Sequence, residues 1–228
     1  MKITINRDGK LTEYKVSPNL MLLQALYEIK ENSDSSLSFD SGCRSMVCGA
    51  CAVRVNGKEK LACGYKVEDG DVIEPLKAHE VIRDLRVKKS TKLSTIKNAK
   101  CYIKEYKEET ISEEDEAKSA LQSDCILCDS CYSACPVFEV NKNFLGPFAL
   151  TRAYRYAIDK RESTPKEIID AIVQNGVWDC TLCGECTLVC PKGIDPKSDI
   201  IQLRNISAQY GYMDPNFTNN FGFNPNGF

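Results

Sequence analysis

Twelve of the thirteen cysteines fall into three spaced sets. Thiolates at these spacings hold iron–sulfur clusters, which carry electrons one at a time. Cys43, Cys48 and Cys51 run C-x4-C-x2-C and are closed by Cys63 after a shortened final gap, the plant-type pattern for a [2Fe–2S] centre. Cys125, Cys128, Cys131 and Cys135, and then Cys180, Cys183, Cys186 and Cys190, run C-x2-C-x2-C-x3-C, each closed by a proline, Pro136 and Pro191. That is the bacterial pattern for paired cubane clusters, in which the fourth cysteine of each run serves the other cluster. A medial [4Fe–4S] cluster is therefore expected on Cys125, Cys128, Cys131 and Cys190. A distal one is expected on Cys135, Cys180, Cys183 and Cys186, or a [3Fe–4S] cluster if Cys183 is not a ligand.

Geometry favours iron. A cluster needs thiolates arriving from several directions, with backbone N–H groups aimed at its sulfur. Gly42, Ser45, Gly49 and Ala50 keep the first loop small enough for close approach. In the later runs, three cysteines at i, i+3 and i+6 are expected on one side of a helical turn. Zinc also takes four thiolates, but its structural sites use separated C-x2-4-C pairs instead of one run closed by proline. A disulfide framework fits small secreted scaffolds, and this chain of 228 residues shows no secretory apolar region. Cys101 lies outside every set and reads as a small buried apolar side chain.

The rest of the chain must position these thiols. Its apolar content is enough for two modest cores. The formal net charge of −2 counts the cysteines as neutral, and thiolate-ligated clusters add negative charge. An acidic holoprotein argues against nucleic acid as a partner. No stretch approaches a membrane span, so any membrane contact is expected through a partner.

Residues 2–7 and 11–16 read as a hairpin about Asp8-Gly9-Lys10. Residues 19–31 read as a helix with Leu20, Leu23, Leu26 and Tyr27 on one face, capped by Ser17 before Pro18. After the first cysteine loop come a strand at 52–56, a turn at Asn56-Gly57, a return strand toward Leu61, and a last strand near 72–76. This is the element order of a β-grasp ferredoxin domain. Residues 104–118, dense in Glu and Lys, read as an exposed linker or helix edge. Helical repeats follow between the two cysteine runs, which form an internal repeat. The fold class is thus α+β: a β-grasp [2Fe–2S] domain over 1–100, an all-helical two-cubane ferredoxin domain over 101–208, and an aromatic, Asn- and Gly-rich tail over 209–228.

Together with the cysteine spacings, several stretches resemble the iron–sulfur subunit of succinate dehydrogenase and fumarate reductase, as far as about Arg204. They are Val81-Ile82-Arg83-Asp84-Leu85, Phe144-Leu145-Gly146-Pro147, Ala153-Tyr154-Arg155-Tyr156, Gln174-Asn175-Gly176-Val177-Trp178 and Val189-Cys190-Pro191-Lys192. The resemblance implies a chain without substrate chemistry of its own, passing electrons between a flavoprotein subunit with covalent FAD and a membrane-side quinol-reactive or cysteine-rich partner. It implies a place on the cytoplasmic face of the cell membrane, peripheral through partners, with periplasmic co-export as the alternative.

Two departures inform that likeness. Most members of the family have a non-cysteine residue where this chain has Cys183, which leaves a three-iron centre; a fourth thiolate here implies [4Fe–4S] and a lower potential. The Trp and His lent to the quinone pocket in the succinate-quinone branch are replaced by Val140 and Thr181. Both departures resemble the branch with an extra cluster cysteine, whose membrane-side subunit is cysteine-rich instead of a cytochrome b, and the thiol-driven fumarate reductases. His79, the single histidine, reads as a surface residue. The direction of reaction leans toward fumarate reduction. The alternatives are a wire for another flavoprotein, of thiol-driven or 2-hydroxyacid type, and a freestanding ferredoxin carrier. Tyr210, Tyr212, Phe217, Phe221, Phe223 and Phe228 mark the tail as a candidate docking strap.

Overall fold

The computed structural model describes residues 1–89 and 92–215. The candidate strap positions Phe217, Phe221, Phe223 and Phe228 lie outside the described residues.

The N-terminal part is a five-stranded mixed sheet wrapped on one helix. Its elements are β1 (Lys2–Arg7), β2 (Lys10–Lys15), α1 (Leu22–Asn32), β3 (Ala52–Val55), β4 (Lys58–Leu61) and β5 (Val72–Glu74). The strand order is β2-β1-β5-β3-β4, with β1 and β5 parallel and the other pairs antiparallel. Alternation puts Ile3, Ile5, Val53, Val55 and Ile73 on the face covered by Leu22, Leu26 and Ile29 of α1, all of them buried. Asn56 and Gly57 both take positive φ, +50° and +80°, which gives the β3–β4 hairpin the tight turn expected from that dipeptide.

The helix α1 starts three residues later than its sequence suggests. Asn19 adopts φ +63° in a turn, and Met21 pairs with Lys66 in an isolated bridge, which keeps this stretch out of the helix until Leu22. Ser17 does not cap the helix; its hydroxyl donates to Glu28 at 2.9 Å, and Gln24 accepts from the Met21 N–H at 2.9 Å. A small sheet of β6 (Val81–Arg83) and β7 (Arg86–Val87) follows. It is tied to the domain by Asp84, which accepts from Arg7 at 2.9 Å and from the Ser38 N–H at 2.8 Å.

Helices then take over: α2 (Lys92–Asn98), α3 (Glu113–Ser123), α4 (Ser130–Ser133), α5 (Pro136–Val140), α6 (Pro147–Ala157), α7 (Pro165–Ile172), α8 (Glu185–Leu188) and α9 (Pro196–Gln209). Four of these, α5, α6, α7 and α9, begin on proline, where the missing N–H costs nothing. Leu150, Ile168, Ile169, Ile172, Ile200 and Leu203 form their shared core, and Ala99 and Cys101 belong to it as well. The charged stretch 104–118 is exposed, as its composition implies, and runs into α3, whose acidic first turn suits a helix N-terminus.

The two parts meet through a buried polar joint. Ser133 donates to Glu59 of β4 at 2.7 Å and accepts from the Lys77 N–H at 2.8 Å. Lys77 also pairs with Glu139 at 2.9 Å.

Candidate iron–sulfur cradles

The first cradle is a loop bent by three residues in left-handed conformation, Arg44, Met46 and Gly49. That bend turns backbone N–H groups inward. The N–H groups of Ser45 and Val47 each donate to Cys43 Sγ at 3.3 Å, and the Cys43 N–H donates to Cys48 Sγ at 3.3 Å. These donors pull the Cys43 thiol down to about 7. Cys51 is buried, and desolvation pushes its thiol up to about 11, with Cys63 facing it across the β3–β4 end. Gly42 has no room for a side chain: a Cβ there would stand 2.8 Å from Cys48 Sγ.

The two later runs share one backbone. Leu127 and Asp129 in the first take φ of +52° and +69°, and Leu182 and Gly184 in the second take +55° and +85°. Left-handed bulky residues are strained and persist where the surroundings demand them. Each run therefore loops around its first two cysteines and enters helix only afterwards, at Ser130 in α4 and at Glu185 in α8. The expectation of three cysteines along one helical turn is corrected by this. Cys125 and Cys128 precede α4, and Cys180 and Cys183 precede α8.

The fourth cysteines cross over. Cys125, Cys128, Cys131 and Cys190 line one small, mainly apolar cavity, closed by Ile126, Phe148 and Ile194. Cys190 sits near enough to raise the Cys125 and Cys128 thiols further, on top of their burial. Cys135 is grouped with the other run: burial raises its thiol first, and Cys180 and Cys183 add to the rise. Cys186 is pushed up to about 12 by burial, with Cys180, Cys135 and Cys183 contributing. The Phe138 and Leu182 N–H groups donate to Cys135 and Cys180 Sγ at 3.4 Å. Cys186 also bears on Cys131, so the two cradles are neighbours.

This donor set fits iron–sulfur clusters. Burial disfavours bare thiolates, and the positive charge of iron reverses that preference. Among the described residues no three His, Cys, Asp or Glu side chains close on a single ion. Thiolates that ligate different irons stand further apart than the ligands of one tetrahedral zinc.

Other sequence candidates sort differently. Cys101 is buried, donates to the Ala149 carbonyl at 3.1 Å, and joins no cradle. Val140 is 85% exposed at the end of α5, and Thr181 lines an open cavity with Trp178 and Arg204. His79 is half-buried instead of lying on the surface: it faces Phe138 with ring centroids 6.3 Å apart, and burial lowers its pKa. Sequence reasoning missed Arg204, which donates to the Val177 and Cys180 carbonyls at 2.8 and 2.7 Å and anchors the distal loop from α9. It also missed Lys89 and Lys92, whose ammonium groups donate to the Ala50 and Leu127 carbonyls of the first and medial cradles, because a lysine outside any motif carries no sequence signal of what it faces.

Residues 4–94 match a 2Fe-2S iron-sulfur cluster binding domain, and residues 121–194 match a 4Fe-4S dicluster domain. The fumarate reductase iron-sulfur subunit of Haemophilus influenzae is 37% identical over 228 residues, covering 90% of this chain and 89% of that one. The 8-methylmenaquinol:fumarate reductase iron-sulfur subunit of Wolinella succinogenes is 37% identical, covering 83% of this chain and 65% of the relative. An uncharacterized iron-sulfur protein of Methanocaldococcus jannaschii is 38% identical over 95% of this chain, which spans only 45% of that relative's length. The solved Mycobacterium smegmatis Sdh1 complex in the apo form contains a chain of the same fold, with TM-score 0.80 and 22% identity, covering 94% of this chain and 98% of that one. On the strength of these relatives, the chain belongs to the family of fumarate reductase and succinate dehydrogenase iron–sulfur subunits.

Proposed function

We propose that the chain is the electron-transfer subunit of a fumarate reductase/succinate dehydrogenase complex, working between a flavoprotein subunit with covalent FAD and a membrane-side quinol-reactive or cysteine-rich subunit. The observation that carries this reading is the crossover, with Cys190 in the cavity of Cys125, Cys128 and Cys131 and Cys135 among Cys180, Cys183 and Cys186. In this reading Cys43, Cys48, Cys51 and Cys63 hold a [2Fe–2S] centre, and the two crossed sets hold two [4Fe–4S] centres. Bound there, the clusters supply one-electron carriers, and the organic chemistry stays on the flavoprotein.

The chain's own residues order the carriers. Gly49 touches Cys128 between the first and medial cradles, and Cys131 neighbours Cys186 between the medial and distal ones. The N–H donors at Cys43, Cys48, Cys135 and Cys180 stabilise thiolate charge. Cys183 adds a fourth thiolate to the distal set, and the lower potential this implies favours fumarate reduction.

Among the described residues no helix is long and apolar enough to cross a membrane. A peripheral place on the cytoplasmic face, held by partners, follows in this reading. Val140 and Leu188, 85% and 80% exposed, offer apolar contact to such a partner.

Anoxic purification of the chain from its native host, with metal analysis and mass spectrometry, tests the reading. The expected result is about ten iron atoms per chain, from one [2Fe–2S] and two [4Fe–4S] centres, together with a flavoprotein carrying covalent FAD. Recovery of the chain alone with its clusters intact would overturn the subunit assignment.

A further inference from the structure

Lys89, which follows β7, and Lys92, the first residue of α2, direct two ammonium groups at the loops of the first and medial cradles. Lys89 is half-buried and donates through Nζ to the Ala50 carbonyl at 3.0 Å. Ala50 stands between Gly49 and Cys51 of the first cradle. Lys92 donates to the Leu127 carbonyl and lies 3.1 Å from Asp129 Oδ2, on the residues flanking Cys128. The loops gripped by the two lysines are those that touch where Gly49 meets Cys128.

The other charged groups facing Lys89 are Lys92, Asp129, Asp40 and the Cys128 thiol. Asp129 is paired with Lys92, and Asp40 with Arg86 at 2.9 Å. Among the described residues, no carboxylate stands within ion-pair distance of Lys89. A partly desolvated ammonium that meets a neutral carbonyl but no carboxylate is costly, and it persists best where something negative lies opposite. Clusters ligated by four thiolates are such partners, and they become more negative on reduction. A fixed positive charge beside them therefore favours the reduced state.

We propose that Lys89 tunes electron transfer, its ammonium raising the reduction potentials of the [2Fe–2S] and medial centres relative to the distal one, while Lys92 neutralises Asp129 and ties the start of α2 to the medial loop. This rests on the ligand sets of the proposed function. The ammonium acts through space: no bond is made or broken and no proton is transferred.

The test is an anoxic redox titration followed by EPR on the full-length, cluster-loaded protein at neutral pH. Lys89→Met and Lys89→Gln remove the charge by two routes, so that a folding failure in one leaves the other, and Lys89→Arg restores it. Both neutral variants are expected to keep the wild-type iron content. At fixed potential the reduced-to-oxidised ratio of the [2Fe–2S] and medial centres should fall about tenfold, equivalent to about 59 mV for a one-electron couple. The distal centre should stay in place, and Lys89→Arg should return to the wild-type values. Unchanged potentials in the neutral variants, or an equal shift at all three centres, would overturn the proposal. A wild-type protein lacking three distinct signals would instead overturn the ligand sets beneath it.

Discussion

Gly49 lies directly against Cys128: a Cβ built on Gly49 would stand 2.7 Å from the Cβ of Cys128 and 2.8 Å from its Cα. Gly49 also holds φ +68° and is buried. Here the first and medial cradles meet backbone to backbone, with no side chain between them. Gly49→Ala adds a clash with main chain to a left-handed penalty of about 1–2 kcal/mol. It should cost more than that in stability and should weaken the magnetic interaction between the two centres. Gly184→Ala is the control. Gly184 holds φ +85°, but its nearest neighbour is the flexible Lys197 Cδ at 3.6 Å. Thermal melting under anoxia should show the larger loss at Gly49, and EPR relaxation should change there alone.

Cys183 is exposed and outside α8, so nothing in the packing depends on it. Cys183→Ala should leave the fold and the other two centres in place and convert the distal centre to [3Fe–4S]. Iron would fall from about ten to about nine atoms per chain, and a three-iron EPR signal would appear on oxidation. Complete loss of the distal centre, or an unaltered [4Fe–4S] signal, would contradict the assigned role of this thiol.

The joint between the two parts of the chain turns on one hydroxyl. Ser133 is 2% exposed and Glu59 5% exposed, and Ser133 serves both Glu59 and the Lys77 N–H. Ser133→Ala strands the Lys77 N–H and leaves Glu59 Oε1 with only the longer ion pair to Arg54 at 3.4 Å, at about 1–3 kcal/mol. For a chain of this size that is roughly 2–4 °C of melting temperature per kcal/mol. Calorimetry should record this loss with the iron content unchanged.

Asp199 sets an expected pH dependence. It accepts from Gln122 and Thr151 at 2.8 Å each, linking α9 to α3 and α6. Burial outweighs those bonds and raises its pKa above the ordinary carboxylate value. A raised folded pKa means that the native state holds the proton more tightly. The stabilisation is complete below the unfolded value of about 3.9, and it is lost as pH rises through the folded value. Asp199→Asn should therefore raise the melting temperature relative to wild type at pH 8. The gain should shrink as pH is lowered toward 5. A gain that grows on acidification would reverse the sign of this account.

Much of the architecture is legible from residue order alone. Period-two alternation marks β1 and Asn56-Gly57 marks the β3–β4 turn, because both signals are local. The start of α1 is not legible, since the bridge from Met21 to Lys66 joins residues far apart in the chain. The twelve candidate thiols are picked out by spacing, yet their loop geometry is not. Leu127 and Leu182 have no local reason to be left-handed; the need arises from bringing thiols and N–H groups to one centre. The half-burial of His79 depends on Phe138, and the burial of Cys101 on the core it shares with Leu150, contacts that only the folded chain creates.

The central claim is that each cysteine run lends its last thiol to the other cluster, and single substitutions at Cys190 and Cys135 test it most directly. EPR and iron analysis of the cluster-loaded Cys190→Ala and Cys135→Ala proteins would separate the two centres. The account predicts that Cys190→Ala abolishes or converts the medial signal and spares the distal one, with the reverse for Cys135→Ala. If Cys190→Ala instead removed the distal signal and Cys135→Ala the medial one, each run would hold its own cluster, and the crossover would be wrong.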